Sequence, residues 1–311
     1  MTHPTPPTQR IVPHIWCVRN AEEAGAFYAS AFENAHSEVE SRYPETGLLD
    51  FQLPLAGAPL TVALTVSGTR FTLINAGDEF RPGPALSFLL NFDPLLFDDS
   101  EELARASLDR LWDRLGDGGT ALMPLGEYPF SSHYGWVQDR FGVNWQLMLT
   151  DPAGDDRPFI IPALMFDGAA QDRAAEAADF YVSLFAHEPG GAEVGHRSAY
   201  GTPTGNAAAD ALAFGEFRIG EQWFMVADNG SGIDHGFTPG VSLEVSCADQ
   251  AEIDRLWEAL SAVPEAEQCG WLVDRYGVSW QIVPANMGEL MERPGAFARM
   301  LAMKKIVIDQ L

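Results

Sequence analysis

The sequence predicts an α+β fold laid down twice in one chain. Three observations carry that reading. First, Gly135-Trp-Val-Gln-Asp-Arg-Phe-Gly-Val-Asn-Trp-Gln-Leu147 recurs as Gly270-Trp-Leu-Val-Asp-Arg-Tyr-Gly-Val-Ser-Trp-Gln-Ile282, and shorter matches keep the same order. Leu108-Asp-Arg-Leu-Trp112 answers Ile253-Asp-Arg-Leu-Trp257, Ile11-Val-Pro13 answers Ile160-Ile-Pro162, and Phe27-Tyr28 answers Phe180-Tyr181. That spacing is a whole domain, far beyond the ~20–50 residues of a solenoid repeat. Second, the chain has 311 residues, about twice a common domain length. Third, few helical patterns stand among many strand patterns, which argues against a doubly wound sheet.

Taken in order, residues 1–10 read as a polar, proline-rich, disordered tail. Ile11–Val18 is an apolar strand, and Asn20 with Glu23 forms a capping box for a helix carrying Phe27, Tyr28 and Phe32. Strand-like runs follow at residues 48–55, 60–66 and 71–75, the last two joined by a Ser67-Gly68 turn, and another at 85–92. Ser100 opens a helix with Leu103, Leu108, Leu111, Trp112 and Leu115 on one face, ending at Gly116. Strands at 134–138 and 143–150 close the first half, over residues 11–152. A linker rich in Asp, Gly and Pro leads to a second half, 158–285, on the same plan. Residues 286–311 form a C-terminal segment in which 287–303 reads as one amphipathic helix.

Composition narrows the function classes. Apolar residues are 46% and charged residues 20%, an ordinary globular balance. A net charge of −25, from 19 basic and 44 acidic residues, would repel nucleic acid and anionic membrane surfaces alike. Three cysteines, none in a CxxC pair, offer neither a disulfide framework nor a zinc ribbon. Neither a signal peptide nor an apolar run of ~20 residues is visible, so the expected location is the cytoplasm.

The doubled Gly-Trp-x-x-Asp-Arg-aromatic-Gly-Val-x-Trp-Gln block resembles the PhnB-like branch of the vicinal oxygen chelate (glyoxalase/bleomycin-resistance) superfamily. The early Phe-Tyr helix, the hairpin Gly220-Glu-Gln-Trp-Phe-Met225 and the tail Met303-Lys-Lys-Ile-Val-Ile-Asp309 are similar to it as well. The resemblance implies two tandem glyoxalase-like domains, packed as an intrachain pseudo-dimer. Each would be two βαβββ units whose strands curl into a cupped, mainly antiparallel sheet around a small molecule. In metal-dependent relatives, His, Glu and Gln on particular strands hold a divalent cation. Those places fall near His14, Asn75, Ser87 and Gln146 in the first half and near Ala163, Ala227, Ser242 and Gln281 in the second. A catalytic divalent ion needs about three strong N or O ligands, and this set supplies one imidazole, so no cofactor is expected and His14 is the weak metal candidate. Members of the branch often carry a methyltransferase label, yet no glycine-rich strand-to-helix turn suited to S-adenosylmethionine is present.

The candidate ligand-binding residues are His14, Trp16, Ser87, His133, Tyr134, Gln146, Ser242, Glu244 and Gln281. His14 is either a cavity ligand or base, or a histidine bonded at a domain seam. Gln146 and Gln281 alternate with Trp145 and Trp280, so each pair splits between two faces of its strand. An inward glutamine would orient a polar ligand; otherwise it satisfies core backbone groups. Ser242, Glu244 and Ser246 share a face; inside a cup Glu244 would have a raised pKa and could serve as a base, whereas on a solvent face it is only surface charge. The segment Tyr128–Tyr134, carrying His133, reads as a lid loop or as a flap between the halves. The Asp139-Arg140 and Asp274-Arg275 pairs read as turn builders braced by an ion pair, or else as anchors for an anionic ligand. Three functions stay open: a metal-independent small-molecule-binding protein, a metal-dependent enzyme with its site at His14 and Gln146, and an interaction protein with filled cups.

Overall fold

The computed structural model describes residues 9–232 and 235–311, so the expected tail lies outside them except for Gln9 and Arg10. Four units follow one another. The first is β1 (Ile11–Val18), α1 (Ala21–Ala31), β2 (Ala35–Arg42), β3 (Pro59–Val66) and β4 (Thr69–Ala76). The second is β5 (Leu86–Phe92), α2 (Glu101–Gly116), β6 (Thr120–Tyr128), β7 (Ser131–Gln138) and β8 (Asn144–Leu149). The third is β9 (Ile160–Phe166), α3 (Ala174–Leu184), β10 (Ala192–Ala199), β11 (Leu212–Ile219) and β12 (Gln222–Asp228). The fourth is β13 (Val241–Cys247), α4 (Gln250–Leu260), β14 (Trp271–Val273) and β15 (Ser279–Pro284), followed by α5 (Met287–Met291) and α6 (Ala296–Leu301). The α+β class and the repeated unit match the sequence reading.

The units do not share sheets in the way one half per cup implies. One sheet has seven strands in the order β14-β15-β13-β1-β4-β3-β2, and the other has eight in the order β10-β11-β12-β9-β5-β8-β7-β6. Each sheet therefore joins one unit from each half. The seam in the first is the antiparallel β1–β13 ladder, with His14 opposite Ser242; in the second it is β5–β9, with Ser87 opposite Ala163. The repeat makes these the same contact made twice, the pattern of an internal pseudo-dimer.

Sequence dictates which face each strand buries. Side chains alternate along a strand, and Ile15, Cys17, Leu73, Leu243, Val245, Trp280 and Ile282 all turn to the helix-covered side, where one large core spans both sheets. The four long helices close that side. Ser100 Oγ accepts from Leu103 N at 3.2 Å to start α2 as expected, and Asp249 caps α4 likewise through Glu252 N. The Asn20–Glu23 capping box does not form; Asn20 makes no side-chain cap bond. Instead Asn75 Oδ1 accepts from Ala21 N at 3.3 Å, while its Nδ2 donates to Pro59 O. Asp228 does the same for α3, accepting from Ala174 N at 3.0 Å. Asn75 is thus an anchor for α1 rather than a cup residue.

The two copies of the repeated block build buried hubs. Asp139 Oδ2 accepts from Tyr28 Oη and Trp145 Nε1, both at 2.8 Å, and its Oδ1 accepts from Phe141 N and Val143 N. Asp274 is bound identically by Tyr181, Trp280, Tyr276 N and Val278 N. The expected ion-pair brace is absent from both turns. Arg140 lies over the Phe27 ring at 4.3 Å and Arg275 over Phe180 at 4.4 Å, so their charges stack on aromatics outside the hub. Gly142 and Gly277 take φ values of 87° and 93°, the left-handed turn the sequence predicts.

Other local readings change. Residues 50–55 form a 3₁₀ turn around Pro54, not a strand. The polar edge strand β2 has a period-two burial pattern but little apolar content, and β6 lies on an edge too; both were missed. The terminal helix breaks at Pro294-Gly295, where Gly295 has φ 76°, into α5 and α6. No described helix is long and apolar enough to cross a membrane.

Candidate functional site

Opposite the core, each sheet presents a concave face. On the seven-stranded sheet that face carries His14 and Trp16 from β1, Ser242 and Glu244 from β13, and Gln281 from β15, since these positions pair across the ladders. His14 is 6% exposed, and its Nε2 lies 3.2 Å from Glu244 Oε2. Its Nδ1 is buried with no hydrogen-bond partner. Gln281 Nε2 donates to Ser242 Oγ at 2.9 Å. Trp16 meets Trp271 edge-on with ring centroids 6.1 Å apart, although β13 and β15 separate their strands. That contact measures the curl of the sheet: its β14 edge folds back toward the central strand β1. Phe80 packs edge-on against Trp16 at 5.0 Å, and Trp16 Nε1 donates to Gly77 O.

The eight-stranded sheet repeats the scaffold with different occupants. Gln146 Nε2 donates to Ser87 Oγ at 2.8 Å, as Gln281 does to Ser242, and Tyr134 Oη donates to Gln146 Oε1 at 2.7 Å. The place of His14 is taken by Ala163 and that of Glu244 by Leu89, because Ala163 stands opposite Ser87 and Leu89 lies two residues beyond it. Both glutamines face inward and both tryptophans of the Trp-Gln pairs face the core, where Trp145 and Trp280 are fully buried. The two cups share a Ser–Gln bond and differ at the His14–Glu244 pair, which only the seven-stranded sheet carries.

Several expectations need correction. His14 and Gln146 lie in different sheets, so the metal site pairing them does not exist. His133 turns away from the cup: its Nε2 lies 2.5 Å from Asp109 on α2, while its neighbour Tyr134 faces Gln146. The segment 128–134 is no irregular lid, because Tyr128 pairs with Ser131 in a tight β6–β7 hairpin. The seven-stranded sheet lacks a strand equivalent to β6, and the C-terminal segment meets its edge through Cys269 N→Met303 O and Gly270 N→Lys304 O. Glu244 is not raised. Burial pushes its carboxyl up, but His14 beside it, aided by Arg70 and Ser246, holds it below its ordinary 4.5. What the sequence missed was the His14–Glu244 contact, which needs the β1–β13 seam.

A pH dependence follows. The folded value of Glu244 lies below the unfolded one, so its stabilisation is present above the ordinary value and is lost as pH falls through the folded one. Thermal unfolding of Glu244→Gln should lose less stability than the parent between ~pH 5.5 and ~pH 3.5. Equal losses would show that the pair contributes nothing. The cysteines supply no competing nucleophile: burial pushes the Cys17 and Cys247 thiols up to about 12 and Cys269 to about 11.

Comparison with known proteins agrees with this architecture. A protein-family model described as 3-demethylubiquinone-9 3-methyltransferase matches residues 9–148 and again 158–283. A PhnB protein from Bacillus cereus, solved under that same methyltransferase description, is 32% identical, covering 46% of this chain and 100% of its own, with TM-score 0.37. Protein PA1353 from Pseudomonas aeruginosa is 23% identical over 46% of this chain and 98% of its own, with TM-score 0.36. A V278E mutant of glyoxalase I from Zea mays is 12% identical but covers 91% of this chain and 95% of its own, with TM-score 0.50, a likeness of fold alone. No curated protein matches. With the family matched twice over most of the chain, and both matches assembled into cupped sheets of the vicinal oxygen chelate kind, the chain belongs to the PhnB-like 3-demethylubiquinone-9 3-methyltransferase family as a tandem member.

Proposed function

We propose that this chain binds a small polar molecule in the cup of the seven-stranded sheet, using His14 and Glu244 and no catalytic divalent metal. The observation that carries the reading is the buried, unpartnered Nδ1 of His14 in a cup where Nε2 is committed to Glu244. With the Nε2 hydrogen directed at Glu244, Nδ1 offers a lone pair to a ligand O–H or N–H. Left empty, a buried polar atom costs about 1–3 kcal/mol, which a donor-bearing ligand would recover. Trp16, Trp271 and Phe80 supply flat apolar walls, so a small phenol fits the chemistry: a ring for the walls and one hydroxyl for Nδ1. The negative Glu244 disfavours an anion at the same place.

The donor set does not fit the divalent ion of metal-dependent relatives. His14 and Glu244 are two strong donors bonded to each other, and their cup neighbours Ser242 and Gln281 are neutral and bonded together. Among the described residues no group of three His, Cys, Asp or Glu could hold an ion. Methyl transfer, the reaction in the family's name, also lacks support: Gly116-Asp-Gly-Gly119 lies at the C-terminal end of α2, whereas a nucleotide-type loop precedes a helix.

The test has two arms. Protein made without a histidine tag and incubated with nickel, zinc, iron and manganese should hold near-zero metal by elemental analysis. A panel of small phenols should raise the melting temperature of the parent, with affinity at least about tenfold weaker in His14→Ala, the loss of one buried hydrogen bond. One tight ion per chain, lost in His14→Ala, would overturn the metal-free reading; equal binding by His14→Ala would move the site elsewhere.

A further inference from the structure

We infer that the cup of the eight-stranded sheet is a second, separate binding site, for a neutral aromatic molecule that carries a carbonyl-type acceptor. This does not depend on the function proposed for the first cup. Three independent observations converge on it. The floor is apolar where the other cup is ionised: Leu89, Ile161 and Ala163 form a small cluster of their own, and half-buried Met148, Met225 and Trp223 pack on it. Polarizable thioethers over an apolar floor suit planar, electron-rich surfaces and adapt to their outline.

The second observation concerns donors. Trp136 pairs with Gln146 across the β7–β8 ladder, so both side chains stand on the cup face. Trp136 is 8% exposed, and its Nε1–H is buried with no acceptor. Indole N–H can only donate. The orientation of Gln146 is fixed by Tyr134 on its Oε1 and by Ser87 on its Nε2, which leaves one amide N–H unused. Both spare groups are donors, so the fitting ligand brings an acceptor. This is the reverse of the ligand proposed for the first cup, which brings a donor to His14.

Third, among the described residues the face carries no uncompensated charge. Glu216 is 7% exposed and is bound by Arg157 through two hydrogen bonds of 3.0 and 2.9 Å, with Arg157 lying 3.9 Å over the Trp223 ring. This neutral pair closes one flank, and the His235 ring lies 6.4 Å from Trp136 at another. A carboxylate ligand would enter a chain of net charge −25 with no free cation among the described residues of the cup to meet it.

The probe is 6-propionyl-2-dimethylaminonaphthalene, a neutral fluorophore with one carbonyl, titrated against the full chain. Its carbonyl-free parent, 2-dimethylaminonaphthalene, and the anionic 8-anilinonaphthalene-1-sulfonate serve as comparators. Saturable binding of one probe per chain is expected, at least about tenfold tighter than either comparator. Trp136→Phe should erase the preference over the carbonyl-free parent, and Ala163→Phe should block binding by filling the floor. His14→Ala should change nothing. Absence of saturable binding would overturn the inference, as would an unchanged preference in Trp136→Phe or loss of binding in His14→Ala. If Ala163→Phe fails to fold, the Trp136→Phe comparison still decides.

Discussion

Replacing Asp274 or Asp139 by alanine is expected to destabilise the protein by about 3–5 kcal/mol, the cost of orphaning several buried hydrogen-bond donors at once. Each carboxylate receives four hydrogen bonds: two from backbone N–H groups of its own turn, one from a tyrosine on a helix, and one from a fully buried tryptophan. Alanine orphans all four donors in a low-dielectric core, and each orphan alone costs about 1–3 kcal/mol. Relaxation and water entry keep the total below the sum. Asparagine is the discriminating variant. Its Oδ1 keeps the two backbone donors, and a tyrosine hydroxyl can rotate to accept from its Nδ2, but an indole N–H cannot accept. Asp274→Asn should therefore lose less than alanine, and Trp280 or Trp145 bears the residual cost.

One term opposes that loss. Burial raises the pKa of both aspartates above their ordinary 3.8, against the lowering effect of the hydrogen bonds. A raised folded value means that ionisation costs stability as pH rises from about 3.8 through the folded value. Asparagine escapes this cost, which narrows its deficit at neutral pH but does not restore the indole bond. Urea midpoints at ~pH 7 measure both variants. A midpoint of Asp274→Ala within error of the parent would mean that the hub is incidental, and unequal effects at Asp139 and Asp274 would break the pseudo-symmetry.

How far these features could be read in advance depends on the range of the interaction. The hub residues all sit in the repeated blocks, so the turn glycines, the Tyr helix and the Trp-Gln alternation were legible from local pattern and duplication. Asn75 looked like a cup residue because its register was off by one; its neighbour Ile74 shares the face of Trp16. The broken terminal helix was signalled by Pro294-Gly295, which the amphipathic reading of 287–303 passed over. β2 was illegible because an edge strand with water on one side needs little apolar content. The site itself failed for a different reason. His14 and Glu244 lie 230 positions apart in the chain, and no periodicity tells which of two equivalent units will supply the partner for β1. Once the seam is known, the Ala163 and Leu89 replacements explain why only one cup carries the His–Glu pair.

That seam makes the last prediction. A fragment of residues 1–152, the first half alone, should not exist as a folded monomer. It would expose β1 and β5, which are central strands: every residue of β5 is buried, as are the first five of β1. Each would present an unpaired, apolar edge, a template for pairing with another chain. Because β5 and β13 are equivalent, β5 of a second copy can take the place of β13 beside β1, and two fragments would close into a dimer with two identical seams. Sedimentation velocity should show that dimer, or aggregation, with no monomer at micromolar concentration. A monomer that unfolds cooperatively would mean that the seam is dispensable. The dimer would also differ chemically from the full chain. Beside His14 it would place Ser87, Gln146 and Leu89 of the second copy, the residues equivalent to Ser242, Gln281 and Glu244. The carboxylate would be gone, and with it the partner that fixes the imidazole. The His14–Glu244 pair can arise only because the two halves are covalently joined and free to diverge, so the fragment dimer should bind the phenol panel no better than His14→Ala does in the full chain.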